Sequence, residues 1–110
     1  SELKISLINN NLYKKINEFS PFGIGNPKPR FILRDCFIKY PRVVGGKHLS
    51  FYLEDSYSNR IKTISFNSLG TKLGDEVQSS NLIKAVVITI TLNSWAGEEK
   101  VELLLEDIIL

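Results

Sequence analysis

A chain of 110 residues, 43% apolar and 24% charged, is one globular domain, long enough to bury roughly two thirds of its unfolded surface without staples. A single cysteine, Cys36, excludes an internal disulfide and any cysteine-rich zinc site, and a single histidine, His48, excludes a two-histidine metal set. The net charge of +2 hides an asymmetry: residues 1–50 hold nine Lys/Arg against three acids, and residues 51–110 hold five against nine. A basic sector of that kind expects an anionic partner, the plain alternative being two solvated faces.

The elements follow in chain order. Residues 1–20 read as a short extended arm, Glu2-Leu3-Lys4-Ile5-Ser6, and then an amphipathic helix from about Asn10 to Phe19. Leu12, Ile16 and Phe19 recur at i, i+4 and i+7, Asn9 or Asn10 can cap the start, and Pro21 ends it. A helix this short needs a neighbour for its apolar stripe. Residues 21–30 hold three of the four prolines and two of the seven glycines, so they form neither helix interior nor central strand. They are expected to be an ordered connector; Phe22 and the flanking Phe19 and Phe31 argue against a flexible linker.

Residues 31–110 read as a β-domain. A first strand covers residues 31–39, and Tyr40-Pro41-Arg42-Val43-Val44-Gly45-Gly46-Lys47 breaks it or turns the chain. The stretch from His48 to Glu54 alternates, with Leu49, Phe51 and Leu53 on one face and His48, Ser50 and Tyr52 on the other. A turn at residues 55–59 leads to a third strand, residues 60–66, whose Ile61 and Ile64 stand three apart and predict a bulge or burial on both sides. A short helix near residues 70–79 precedes a long strand over residues 82–92. Asn93-Ser94-Trp95-Ala96-Gly97-Glu98 is then a hairpin turn into a last strand carrying Val101, Leu103 and Leu105. Five strands with a helix between the third and fourth predict a mainly β fold, a five-stranded OB-type Greek-key barrel, with an SH3-like barrel as the rival.

No active site is legible. Ser/His/Asp catalysis would have to use His48, and no serine sits in a nucleophile-elbow sequence. Gly23-Ile24-Gly25 lacks the third glycine of a dinucleotide fingerprint, and no Walker lysine follows a Gly-rich loop. Glu106-Asp107 reads as a solvated strand end rather than a metal site, and Cys36 as a small buried hydrophobe. A binding surface is better supported. OB barrels bind oligonucleotides over strands two and three, rimmed by the loops joining strands one to two and four to five. The first of those loops carries Arg42 and Lys47 beside two glycines, and the second displays Trp95. On the outer face Tyr52 lies near Arg60 and Lys62, with His48 further along the same strand. Cations there neutralise phosphates and rings stack on bases. Each residue has an ordinary reading beside this one: a cross-strand partner for Tyr52, a folded-back ring for Trp95, a neutral strand residue for His48.

The run Pro21-Phe22-Gly23-Ile24-Gly25-Asn26-Pro27-Lys28-Pro29-Arg30-Phe31 resembles the connector before the C-terminal OB domain of RecJ-type single-strand-specific DNA exonucleases. Gly46-Lys47-His48-Leu49, Phe66, Asn93-Ser94-Trp95-Ala96-Gly97-Glu98, Val101-Glu102-Leu103 and Glu106-Asp107 follow in the matching order. The resemblance, covering about residues 10–108, implies an OB module that helps hold single-stranded DNA for a 5′-to-3′ exonuclease of DNA repair and recombination. It also implies that hydrolysis belongs to separate domains of the parent chain that bind Mn2+ or Mg2+, with no cofactor and no catalytic residue in this piece. A chain that begins at Ser1 and holds no methionine is expected to be part of a longer polypeptide. A reducing, cytoplasmic location is expected from the cysteine usage, and no apolar run approaches the ~20 residues of a membrane span. The competing reading is a structural or protein-interaction domain that braces the catalytic domains.

Overall fold

The computed structural model describes residues 1–19 and 28–110. The expected connector falls largely on residues 20–27 and so lies outside the described residues. The elements are β1 (Glu2–Leu3), a 3-10 turn (Ile5–Leu7), α1 (Asn10–Phe19), β2 (Phe31–Val44), β3 (His48–Glu54), β4 (Arg60–Ser65), α2 (Lys72–Ser79), β5 (Leu82–Trp95) and β6 (Glu98–Ile109).

The strands hydrogen-bond in the order β1-β2-β3-β4-β6-β5, and β2 pairs again with β5, which closes a five-stranded barrel. β2 makes that closure possible because it is long enough to serve two neighbours. Its first half pairs with β5, Phe31 opposite Ile88, and its second half with β3, Phe37 opposite Glu54. Between the halves Asp35 takes φ +54°, and Leu33 and Cys36, three apart, are both buried. Such a bend lets one strand turn a barrel corner. The arm adds β1 as a sixth, parallel strand on the outer edge of β2, with Glu2 opposite Ile32 and Leu3 opposite Leu33.

Leu49, Phe51 and Leu53 point inward from β3 as the alternation predicts, all at 1% exposure or less. Val86, Ile88 and Ile90 from β5 and Val101, Leu103 and Leu105 from β6 meet them. Val77 of α2 plugs one end of the barrel, and Leu12, Tyr13 and Ile16 of α1 pack against the same core. Helix α1 begins where the sequence places it: the Leu12 backbone N–H donates to the Asn9 side chain at 2.9 Å, an N-cap bond. Cys36 is a buried small hydrophobe; burial, with Asp55 and Asp35 adding to it, pushes its thiol up to about 11.

Three sequence expectations are corrected or decided by the pairing. Tyr40 and Pro41 do not end the first strand. They form a bulge, two residues of β2 opposite Phe51 alone, after which pairing resumes with Arg42 opposite Ser50. Proline lacks the N–H a ladder uses, and a bulge is where a sheet tolerates it. Arg42 is therefore a strand residue, and the loop is only Gly45-Gly46-Lys47. For β4 the second of the two expected alternatives holds: there is no bulge, and burial is two-sided, with Ile61, Thr63 and Ser65 inward and Ile64 half-buried on the outer side. Third, the last hairpin turns on two residues, Ala96 and Gly97, both at positive φ (+52° and +82°), so Trp95 ends a strand rather than sitting in a loop.

The β3–β4 turn is clamped by Asp55. Its carboxylate accepts the backbone N–H groups of Tyr57 and Asn59, each at 2.9 Å, and the Asn59 side chain at 3.0 Å. Desolvation pushes this carboxyl upward, but the bonds from Asn59 and Tyr57 outweigh it and hold it below its ordinary value. A depressed folded-state value means stability that is present above the unfolded-state pKa and lost as pH falls through the folded one. Asp55→Ala is accordingly expected to cost about 1 kcal/mol near neutrality, and the gap in urea midpoint from wild type should narrow as pH falls through and below the ordinary carboxylate range. A gap that stays constant through that fall would remove the charged clamp as the cause.

Candidate nucleic-acid interface

The outer face of β2-β3-β4-β6-β5 carries a strip of aromatic and basic side chains. Tyr52 on β3 stands opposite Lys39 on one side and Lys62 of β4 on the other. Each places its side chain outward because its neighbours, Phe51, Leu53, Ile61 and Thr63, fill the core. Tyr40, raised on the bulge, meets Tyr52 edge-on with ring centroids 6.5 Å apart. The Arg60 guanidinium lies 5.1 Å from the Tyr40 ring centroid and 5.7 Å from that of Tyr52, so the two rings share one cation.

Three depressions follow the strip and share Tyr52 and Lys62. One of about 300 Å³ lies toward β2, with Tyr40, Arg42 and Ser50. A second of about 380 Å³ lies toward the β5–β6 hairpin, with Asn93, Trp95, Lys100 and Glu102. The third, about 650 Å³, runs under the start of α1, between Asn9–Asn11 and Arg60. Helix α1 thus borders the strip without covering it: Tyr52 keeps 37% of its surface exposed and Trp95 77%.

Of the seven residues singled out from sequence, Arg42, Tyr52, Lys62 and Trp95 line adjoining depressions, and Arg60 flanks Tyr52. Arg60 is not a free cation. It bonds Glu54 through Nε at 2.9 Å and Nη2 at 2.6 Å, and that bond raises its already high pKa. Its contribution is a flat, fixed surface beside two rings more than a free positive charge. Lys47 and His48 lie outside these depressions, at the far end of β3. The Lys47 carbonyl accepts the Leu69 N–H, His48 Nδ1 accepts the Asn67 N–H at 2.9 Å, and the imidazole meets Phe66 edge-on at 5.1 Å. His48 thereby fastens the β4–α2 link to β3.

Sequence reading missed Tyr40, Asn93, Lys100 and Glu102. Tyr40 was hidden by Pro41, whose usual meaning is a strand end. The other three come to the strip because β6 lies parallel to β4, Thr63 opposite Leu103, a pairing between segments forty residues apart that local periodicity does not encode. The alternation of Val101, Leu103 and Leu105 did carry one signal, since it puts Lys100 and Glu102 together on the outer face. Chemically the strip offers stacking surfaces, cations for a polyanion and a few fixed hydrogen-bonding groups. Among the described residues no group of three His, Cys, Asp or Glu side chains converges as a metal site.

A closed barrel in this strand order, with a helix leading into the fourth barrel strand and a ring-bearing outer face, defines an OB-fold protein. Within that class the assignment is specific. The model of the RecJ OB domain family matches residues 1–107, and the chain belongs to that family. Two crystal structures of RecJ from Thermus thermophilus share the fold. The one in complex with Mn2+ superposes with a TM-score of 0.65 at 22% identity, over 90% of this chain and 13% of that one. The one in complex with Mg2+ gives 0.64 at 21% identity, over 88% and 14%. The chain therefore spans about one seventh of those RecJ chains. No protein of curated function matches it.

Proposed function

We propose that this chain is the single-stranded-DNA-binding module of a RecJ-type 5′-to-3′ single-strand-specific exonuclease. Its parent acts in DNA repair and recombination, and cleavage falls to other domains, which would bind the Mn2+ or Mg2+. The observation that carries the reading is the shared outer face on which Arg42, Tyr52, Lys62 and Trp95 line adjoining depressions. Family membership supports it.

Few free cations serve this strip: Arg42 and Lys100 border it and Lys39 stands beside Tyr52, while Lys62 faces Glu102 and Arg60 is paired with Glu54. Binding by the chain alone is thus expected to be weak. If about three phosphates are neutralised, log K should fall with log salt at a slope of about −2, the single-strand value per phosphate being about 0.7. Trp95 is the sole tryptophan and stands at the hairpin end of the strip, so its fluorescence reports a titration with an unlabelled oligonucleotide directly. An unchanged signal with no binding even at low salt would remove the proposal.

One observation favours the bracing role as a second reading. A groove of about 520 Å³ between the arm, β2 and the β3–β4 turn shares no residue with the strip, and Tyr57, 85% exposed, stands at its edge. If that groove docks the rest of the parent chain, Tyr57→Ser should weaken the association and leave oligonucleotide affinity as it was. Arg42→Glu with Lys62→Glu should do the reverse.

A further inference from the structure

Among the described residues Glu102 is the only charged side chain that is buried, at 5% exposure, and it sits on the outer face rather than in the core. On a surface read as a seat for a polyanion, a fixed carboxylate is out of place, because it repels phosphate. Its surroundings give it another use. It lines the depression of about 380 Å³ that Tyr52 and Trp95 also border, a volume that admits one nucleobase. Glu102 Oε2 accepts a hydrogen bond from Asn93 Nδ2 at 3.2 Å and faces Lys62 Nζ at 3.9 Å. Both partners hold the same oxygen. Oε1 accepts no bond from the described residues, yet no buried side-chain nitrogen or oxygen among them lacks a partner. With Oε2 held by Asn93 and Lys62 and the side chain lining the depression, Oε1 is the oxygen left to accept from a guest there. A carboxylate oxygen can only accept, and Asn93, whose nitrogen is turned to Glu102, is left with its carbonyl oxygen as a second acceptor nearby.

Acceptors beside aromatic walls select for a donor. In an unpaired nucleic acid the donors on the base edges that set the bases apart are the exocyclic amino groups of cytosine, adenine and guanine. Thymine and uracil carry no amino group; their one edge donor, N3–H, lies between two carbonyl oxygens, and presenting it would turn those oxygens onto Glu102 and the Asn93 carbonyl. Resting on the single-strand reading above, we infer that this depression seats one base bearing an exocyclic amino group, donated to Glu102 Oε1. The module then favours cytosine, adenine or guanine over thymine and uracil at one position. Lys62 offsets the charge of Glu102 toward the neighbouring phosphates, so the selectivity need not abolish binding.

The test compares oligodeoxycytidine with oligodeoxyuridine of equal length at one low salt concentration, read by Trp95 fluorescence on the 110-residue chain. The two strands differ at the 4-position and at N3. Cytosine carries an amino group beside a bare ring nitrogen and uracil a carbonyl beside an N–H, so a dimethylated base isolates the amino group. The cytidine strand is expected to bind about tenfold tighter, the size of one hydrogen bond to a charged acceptor. Glu102→Gln, whose amide both donates and accepts, should bring the ratio close to one. A cytosine dimethylated on its amino nitrogen should lose the advantage against the unaltered protein, which keeps the test independent of how the variant folds. Equal affinities in the wild-type chain, or a ratio that Glu102→Gln leaves unchanged, would overturn the inference while leaving single-strand binding in place. Failure of both strands to bind would overturn the two together.

Discussion

Tyr52→Ala is expected to weaken single-strand binding roughly ten- to a hundredfold, the worth of one base stacked on an aromatic ring. Tyr52 is the ring common to all three depressions, so its loss removes a wall from each of them. It also frees Tyr40 from its edge contact and the Arg60 guanidinium from one of its two rings. Stability should change little, because the side chain lies on the outer face with Phe51 and Leu53 filling the core behind it. Tyr52→Phe keeps the ring and is expected to keep most of the affinity. Anisotropy of a labelled oligonucleotide, with circular dichroism as the check on folding, separates the outcomes. An alanine variant that binds as tightly as wild type would mean that the strand does not run over β3 at all.

Gly74→Ala is expected to destabilise the fold by about 2 kcal/mol, lowering the melting temperature by roughly 10 °C, although glycine to alanine inside a helix ordinarily gains up to about 1 kcal/mol. The reversal of sign comes from the chain folding back on itself before α2. Thr71 caps the helix by accepting the Gly74 N–H at 3.1 Å, and its own hydroxyl and N–H both donate to the Ser68 carbonyl. That carbonyl is thereby pulled down onto the Gly74 Cα. An added Cβ would fall 2.7 Å from the Ser68 carbonyl carbon, closer still to its oxygen, and 3.4 Å from Leu49 Cδ1. A backbone carbonyl held by two bonds cannot step aside without breaking the cap. Urea unfolding of the variant decides the sign; a stabilised protein would mean that the Ser68–Thr71 link is loose in solution.

The order of elements was legible because it rests on local chemistry. The Asn9 cap, the strict alternation of Leu49, Phe51 and Leu53, and the spacing of Leu12 and Ile16 each state their own structure. What misled was a local rule overruled by pairing. Pro41 reads as an end, yet the partner strand continues past it, and a bulge reconciles the two. Ile61 and Ile64, three apart, left a bulge or two-sided burial open, and only the register with β3 decides it, sending Ile61 and Thr63 inward and leaving Ile64 outside. The candidate site was half visible for the same reason. Tyr52 and Lys62 could be placed side by side from the β3–β4 hairpin, and Trp95 from its own turn. Glu102 and Asn93 reach them only through the parallel β4–β6 pairing, which no spacing along the chain announces.

The seam between β2 and β5 bears on how fast the molecule forms. Phe31 must find Ile88, and Ile64 must find Leu104, before the hoop holds itself shut. Nearly all the entropy of ordering the intervening loops is lost before those distant pairs return any gain. Hairpins β3–β4 and β5–β6 can form early, but neither encloses a core alone. Refolding from denaturant should run on the millisecond-to-second scale of barrels built from distant pairings, not the microseconds of a helical bundle of this size.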